Sequence, residues 1–372
     1  MKKVCIITAA RSEYGLLRWI IDGIHTNPKL ELQLVVTGAH LVVEHGYTYK
    51  NIQADGYPVA AIVDMELNSD TKEAIVESMG RCCMGFAKTF AELQPDLVVV
   101  LGDRYELLPI CSSALIMNIP VAHISGGDVT IGAIDNEVRN AITMMAALHF
   151  PGVTESAQNI IRMRNSDVNV WAVGEPGLDN FRRCMLMSRT QLAENLAIPA
   201  ENRWILVTLH PETNESLEYN LQMARNIISL TDTIKDATII ISKANADFGG
   251  NQINDYWSEI EKRNPQKYHL YSSLGQVRYL SFMKECYAVL GNSSSGIVEA
   301  PCLGTPVVNV GNRQTGRFIC RNVFQVNNDL SEIMDVWRKI EANPRRIKDD
   351  YYGDGFTAEK IVSHIEEFLY AQ

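Results

Sequence analysis

Gly291-Asn292-Ser293-Ser294-Ser295-Gly296 is the stretch from which the rest of the chain is read. An apolar run, Tyr287 to Leu290, leads into it, and Ile297, Val298 and Glu299 follow in a helix-like segment. Strand, small polar turn and helix start together aim unpaired backbone N–H groups and two or three hydroxyls at one spot. Such a helix N-terminus attracts anions, phosphate above all. Glu299 lies a turn further on, within reach of ribose hydroxyls if that phosphate belongs to a nucleotide. An ordinary Ser N-cap uses the same residues. The next segment separates the two readings. Pro306 to Asn309 is a second strand, and Gly311-Asn312-Arg313-Gln314-Thr315-Gly316-Arg317 ends it with a glycine-rich loop carrying two arginines. The planar guanidinium fork suits phosphate.

The same strand–loop–helix unit recurs along the chain. Val4 to Thr8 is a buried parallel strand by its unbroken apolar run. Ala9-Ala10-Arg11-Ser12-Glu13-Tyr14-Gly15 and an amphipathic helix to about His25 follow it. The dinucleotide fingerprint GxGxxG is missing there, with Arg11 and Glu13 where glycines would stand, which argues against a nicotinamide enzyme. Leu32 to Thr37, Pro58 to Val63, Leu97 to Leu101 and Pro120 to Ile124 read as further strands, with a long helix over Ser69 to Leu93. Leu97–Leu101 ends in Gly102-Asp103-Arg104-Tyr105-Glu106, which is either a ligand loop at a strand end or a capping box from Asp103 to Glu106. Pro120–Ile124 ends in Ser125-Gly126-Gly127-Asp128. Beyond Gly132, Asp135 and Arg139 are spaced to share one helix face, as a surface ion pair also would be. Leu148 to Phe150 and Val168 to Val173 complete the first half as strands.

Gly174-Glu175-Pro176-Gly177 is the predicted domain boundary, after which the alternation restarts. Trp204 to Leu209 ends in His210-Pro211-Glu212-Thr213, and Thr238 to Ser242 ends in Lys243-Ala244-Asn245-Ala246-Asp247. His210 and Asn245 thus occupy the same rim as Ser293 and Arg313. The tail from Thr357 to Leu369 is amphipathic and is expected to pack on the first domain. The predicted fold is α/β, with two Rossmann-like doubly wound domains facing a central cleft, 1–176 with 357–372 and 177–356.

Composition narrows the function. The 372 residues are 46% hydrophobic, enough for two large cores, and carry a formal charge of −10. That balance argues against a nucleic-acid partner, which selects a basic face. The eight cysteines show no metal-ligand spacing, the sequence has no long apolar span, and no leader is expected. A reduced, cytoplasmic chain without membrane partner is expected.

Taken together, Arg11-Ser12-Glu13-Tyr14, Gly102-Asp103-Arg104-Tyr105-Glu106, Gly126-Gly127-Asp128, Gly132-Ala133-Ile134-Asp135 with Arg139, and His210-Pro211-Glu212-Thr213 form a specific set. Asn245-Ala246-Asp247, the serine loop and Arg313-Gln314-Thr315-Gly316-Arg317 extend it. In order and spacing the chain resembles the hydrolysing UDP-N-acetylglucosamine 2-epimerases of sialic- and legionaminic-acid synthesis, over nearly its full length. The kinase domain fused to the animal enzymes is expected to be absent. The resemblance implies a GT-B architecture and cleavage of UDP-GlcNAc to UDP and ManNAc, by elimination to 2-acetamidoglucal and hydration. A UDP-linked 2,4-diacetamido-2,4,6-trideoxyhexose is the alternative substrate, and a non-catalytic nucleotide-sugar-binding protein the alternative class. It implies no redox cofactor and no metal, and a homo-oligomer, dimer or tetramer, is expected. Carried over by position, Ser293 and Ser294 would hold phosphate and Glu299 ribose, with Arg313, His210 and Asn245 completing the pocket. Arg11 would close on the diphosphate and Arg104 would line the site. Asp103, Asp135 and Glu13, with His210, are the acid–base candidates, and Arg139 would orient or neutralise a carboxylate. Ser125 stands where many relatives carry Glu or His: either that position is not essential here, or Asp128 or a water substitutes, or the sugar substrate differs.

Overall fold

In the computed structural model of the chain, residues 1–43, 47–69, 71–129, 134–212, 214–244 and 249–371 are described. Gly132, Ala133, Thr213, Asn245, Ala246 and Asp247 lie outside the described residues. The chain divides into two compact units, Met1–Asp179 with Gly353–Gln372, and Asn180–Tyr352.

The first unit holds six strands: β1 Lys2–Thr8, β2 Leu30–Thr37, β3 Val59–Val63, β4 Leu97–Leu101, β5 Val121–Ile124 and β6 Leu148–Phe150. Every pairing is parallel and the order is β3-β2-β1-β4-β5-β6. A parallel sheet must be covered on both faces, and the side chains show it. Leu97, Val99 and Leu101 of β4 join the core beneath the helices Arg11–Thr26 and Thr357–Tyr370. Val98 and Val100, pointing the other way, join the core beneath Lys72–Leu93 and Leu107–Ile116. The unbroken apolar run is the direct result of this two-sided burial, since alternate residues serve opposite faces.

The second unit repeats the plan with β7 Arg203–Thr208, β8 Ala237–Ser242, β9 Tyr268–Tyr271, β10 Ala288–Gly291, β11 Val307–Val310 and β12 Val323–Val326. Its order is β12-β11-β10-β7-β8-β9, again wholly parallel. Counted within the unit, this is the same 3-2-1-4-5-6 order as in the first. In such sheets the chain reverses its winding direction beside the first strand, and ligands bind at the carboxyl ends there. The reversal falls between β1 and β4 in the first unit, and between β7 and β10 in the second.

Two sequence expectations change. Val168–Val173 is no strand: a single bridge, His149 to Val170, pairs it with β6, and Asn169 at φ 59° breaks the extended backbone. Trp171 instead stacks on His364 of the C-terminal helix, ring centroids 4.2 Å apart. Conversely β12, an edge strand, was not expected. No helix among the described residues is long and apolar enough to cross a membrane.

Candidate functional site

In the first unit the loops after β1 and β4 meet a cluster of charged side chains. The helix Arg11–Thr26 starts at Ala10, which has no side chain to cap it. Glu13 does that work from within the first turn. One of its carboxylate oxygens, Oε2, accepts from Ala9 N at 2.8 Å and Ala10 N at 3.2 Å. Glu13 is 5% exposed, and burial pushes its carboxyl up to about 7, against the N–H donors and the Arg104 charge, which lower it. Arg104 approaches Glu13 at 3.7 Å and also pairs with the fully buried Glu106. Arg11 is exposed at the helix start, with no ion pair or hydrogen bond among the described residues.

Asp103 is not a cap. The following helix begins at Leu107, its boundary residue is Glu106, and no side chain caps it. Asp103 pairs instead with Arg139. Arg139 is 6% exposed, so its place on the helix Asp135–Met145 serves an interior contact and not a surface pair. Its other arm donates from Nη1 to the Asp128 carbonyl at 2.8 Å. One guanidinium thus joins the loop after β4 to the loop after β5. The Asp128 carboxylate accepts from Ser156 Oγ at 2.5 Å. Asp135, one turn before Arg139, has its pKa raised by burial and by the charge of Asp103, while Arg139 and Arg104 lower it. Two carboxylates in one cluster therefore differ in character: Asp103 is held by a guanidinium, and Asp135 is biased toward its protonated form. Ser125 adopts φ 59° and donates its N–H to Phe150 O at 3.0 Å.

Sequence reasoning passed over His123, which is fully buried on β5. Its ring bonds Thr143 Oγ1 at 3.1 Å and the Gly102 carbonyl at 2.8 Å. A histidine inside the run Val121-Ala122-His123-Ile124 was the available signal, since a buried polar group needs partners.

In the second unit the loops after β7 and β10 are tied together. Asn292 is fully buried and grips the His210 backbone on both sides, accepting from its N–H at 2.8 Å and donating to its carbonyl at 2.9 Å. Ser293 caps the helix Ser294–Leu303, with its hydroxyl facing Ser295 N at 3.4 Å and Ser295 Oγ at 3.1 Å. Tyr279, absent from the sequence-derived set, bonds Ser295 and reaches Thr208 Oγ1 at 3.4 Å. Burial raises the pKa of Glu299. The glycine-rich loop after β11 is organised by a carboxylate of the protein itself. Glu212 Oε1 accepts from Asn312 N at 2.7 Å and Arg313 N at 3.2 Å. Those N–H groups already have their anion, so the loop offers phosphate its side chains. Gln314 and Arg313 in turn donate to Asn292 O, at 2.9 and 3.3 Å. A groove of about 600 Å³ opens at the opposite, amino-terminal strand ends, lined by Arg203, Lys235, Trp337 and Glu341 among others; Arg203 and Glu341 pair within it at 2.6 Å.

The described residues include no cluster suited to a metal ion. The arrangement offers a cationic and hydroxyl-rich anion site in one unit and a carboxylate–guanidinium cluster in the other, each at a winding reversal.

Comparison with known proteins gives the context. A family model described as UDP-N-acetylglucosamine 2-epimerase matches residues 22–366. The GDP/UDP-N,N′-diacetylbacillosamine 2-epimerase (hydrolysing) of Campylobacter jejuni is 34% identical over 341 residues, 92% of this chain and 88% of that one. The UDP-N,N′-diacetylbacillosamine 2-epimerase (hydrolysing) of Legionella pneumophila is 30% identical over 97% of this chain and 94% of its own. Among solved structures, UDP-GlcNAc 2-epimerase from Neisseria meningitidis bound to UDP-GlcNAc superposes with a TM-score of 0.77 at 17% identity, covering 99% of this chain and 100% of that one, which establishes the two-domain GT-B-like α/β fold. With the match extending over nearly the whole chain, the protein belongs to the UDP-N-acetylglucosamine 2-epimerase family.

Proposed function

We propose that the chain is a hydrolysing 2-epimerase that converts a UDP-linked 2-acetamido sugar and water into UDP and the free manno-configured sugar. The observation that carries this reading is the unequal pair of carboxylates in the first unit, Asp103 beside Arg139 and Asp135 with its raised pKa. Inversion at C2 through an elimination needs one group to take a proton and another to return it on the opposite face. Asp103, paired with Arg139, takes the C2 proton as the C1–O bond to UDP breaks, leaving the 2-acetamidoglycal. That proton passes to solvent. Asp135 then protonates C2 from the other face while water adds at C1 and releases a proton. The sum is UDP-sugar plus water to UDP plus the epimerised sugar. Glu13 is left out of the pair, because its Oε2 caps the first helix through the Ala9 and Ala10 N–H groups.

The leaving diphosphate is assigned to the second unit. The helix start at Ser293 and Ser294, with Arg313, stabilises its charge. Glu299 takes the ribose, and His210, fixed by Asn292, completes the nucleotide pocket with Asn245. No step calls for a metal or a redox cofactor.

For the sugar, the 34% and 30% identities to diacetylbacillosamine enzymes favour the 2,4-diacetamido-2,4,6-trideoxy substrate. The family's own description favours UDP-GlcNAc, which the sequence motifs rank first. Proton NMR in D2O with each UDP-sugar decides. The expected result is UDP and the manno sugar deuterated at C2, formed faster from the diacetylated donor. Faster turnover of UDP-GlcNAc reverses the substrate order. A UDP-linked epimer as product, or no reaction with either donor, removes the hydrolysing reading.

A further inference from the structure

The proton chemistry assigned to Asp103 depends on where the turn after β4 aims it, and the structure shows an unusual effort to fix that turn. Gly102 stands at φ +87°, a region open to glycine and hostile to other residues. A glycine peptide can also flip easily, and a flip at Gly102 would redirect Asp103. Both sides of Gly102 are held by β5. Its N–H donates to the Ile124 carbonyl at 3.0 Å, and its carbonyl meets the His123 ring nitrogen Nε2 at 2.8 Å.

A carbonyl only accepts, so Nε2 carries the proton. In the neutral ring Nδ1 then accepts from the Thr143 hydroxyl, 3.1 Å away. Thr143 is on the helix Asp135–Met145, four residues past Arg139, which grips Asp103 itself. The helix therefore clasps the turn at two points: directly, by Arg139 on Asp103, and indirectly, by Thr143 through His123 on the Gly102 carbonyl. The clearance for this ring comes from Gly126, where a Cβ would lie 2.8 Å from His123 Nδ1 and 3.0 Å from Thr143 Oγ1.

We propose that His123 is a positioning residue: its neutral imidazole locks the Gly102–Asp103 peptide in the orientation that aims Asp103, and it carries no proton in the reaction. The inference rests on the reading of Asp103 as the group that takes the C2 proton. Burial, reinforced by the nearby Arg139 charge, lowers the His123 pKa to about 4, against the Gly102 bond and Asp103, which raise it. The ring is thus neutral wherever the enzyme is assayed.

Asparagine reproduces Nδ1 of histidine and glutamine reproduces Nε2, so the two substitutions separate the two bonds. H123N keeps the Thr143 contact and loses the Gly102 bond. Its kcat is expected to fall about 10- to 100-fold, with KM and UDP affinity within about 3-fold of wild type, as for one lost buried hydrogen bond. H123Q, which restores the donor to Gly102, should recover kcat to within about 3-fold and keep every limb of the wild-type pH–rate profile. A wild-type kcat in H123N overturns the proposal. So does H123Q that is as slow as H123N or has lost a limb of the profile, since His123 would then move a proton. An arm independent of turnover is nitrogen-15 NMR of the wild-type imidazole. A neutral ring protonated on Nε2 from about pH 5.5 to 8.5 is expected; titration within that range, or protonation on Nδ1, overturns the assignment. If the wild type turns over neither UDP-sugar, the functional reading fails at that point, and the NMR arm still decides the state of His123.

Discussion

Glu13 shows at the scale of one residue how much structural work a motif position can carry. Its carboxylate caps the first helix, and burial pushes it up to about 7 from an ordinary 4.5. The unfolded chain therefore releases this proton well before the native one does. Native stability from Glu13 is complete below about pH 4.5 and is lost as pH rises through about 7, by roughly 3 kcal/mol for such a shift. Glu13→Gln cannot ionise and keeps an acceptor for the cap. Between about pH 5 and 8 the wild type should lose on the order of 2–3 kcal/mol relative to this variant in denaturant titrations. An unchanged difference across that range would contradict the shift. Asp103→Asn and Asp135→Asn belong to the other class: each should lower kcat by about 100-fold or more while UDP still binds. Retained turnover in either removes that residue from the proton chemistry. From sequence, Asp135 and Arg139 looked like natural partners because spacing is all that a sequence displays. The actual partner, Asp103, is 36 residues away and becomes visible only once β4 and the helix Asp135–Met145 are placed together.

Among elements, the central strands were legible and the marginal ones were not. β4 is buried on both faces, so Leu-Val-Val-Val-Leu announces itself. β12 is an edge strand of four residues with an exposed Gln325, and only two of the four are buried. The rims were legible too, because small polar residues directly after an apolar run stand out; what each rim holds was not. The loop Gly311–Arg317 stood out in sequence for its glycines and two arginines; its backbone N–H groups at Asn312 and Arg313 turn out to be taken by Glu212 from the loop after β7. Glu212→Ala should leave two N–H groups without their acceptor and loosen the loop carrying Arg313. UDP affinity is expected to drop about 5- to 50-fold by calorimetry. Arg313→Ala should weaken UDP binding in the same assay through lost charge, and unchanged affinity would speak against its assigned contact. Gly126→Ala crowds His123 and Thr143 and should slow turnover without touching the elements that hold UDP.

Across the whole molecule, one plan is used twice, and only one copy is continuous in sequence. The second unit occupies Asn180–Tyr352, while the first is assembled from Met1–Asp179 and Gly353–Gln372. The join is substantial. Asp179 accepts from Thr357 N at 2.9 Å and Ala358 N at 2.7 Å, and Ile361 and Ile365 of the last helix are fully buried with Leu17, Ile20 and Ile24. Ile361→Ala should cost about 2–4 kcal/mol of stability, measured by denaturant unfolding, as for a truncated core residue. A loss below about 1 kcal/mol would mean that the last helix is not part of this core. The split order also sets a timetable for synthesis. When the ribosome has delivered the first 179 residues, the apolar face of Arg11–Thr26 still lacks its cover. The inserted unit has all of its own strands before that cover exists. The earliest part of the chain to be made is thus among the last to be sealed, and for that interval its sticky face is the nascent protein's point of exposure to chaperones and to aggregation.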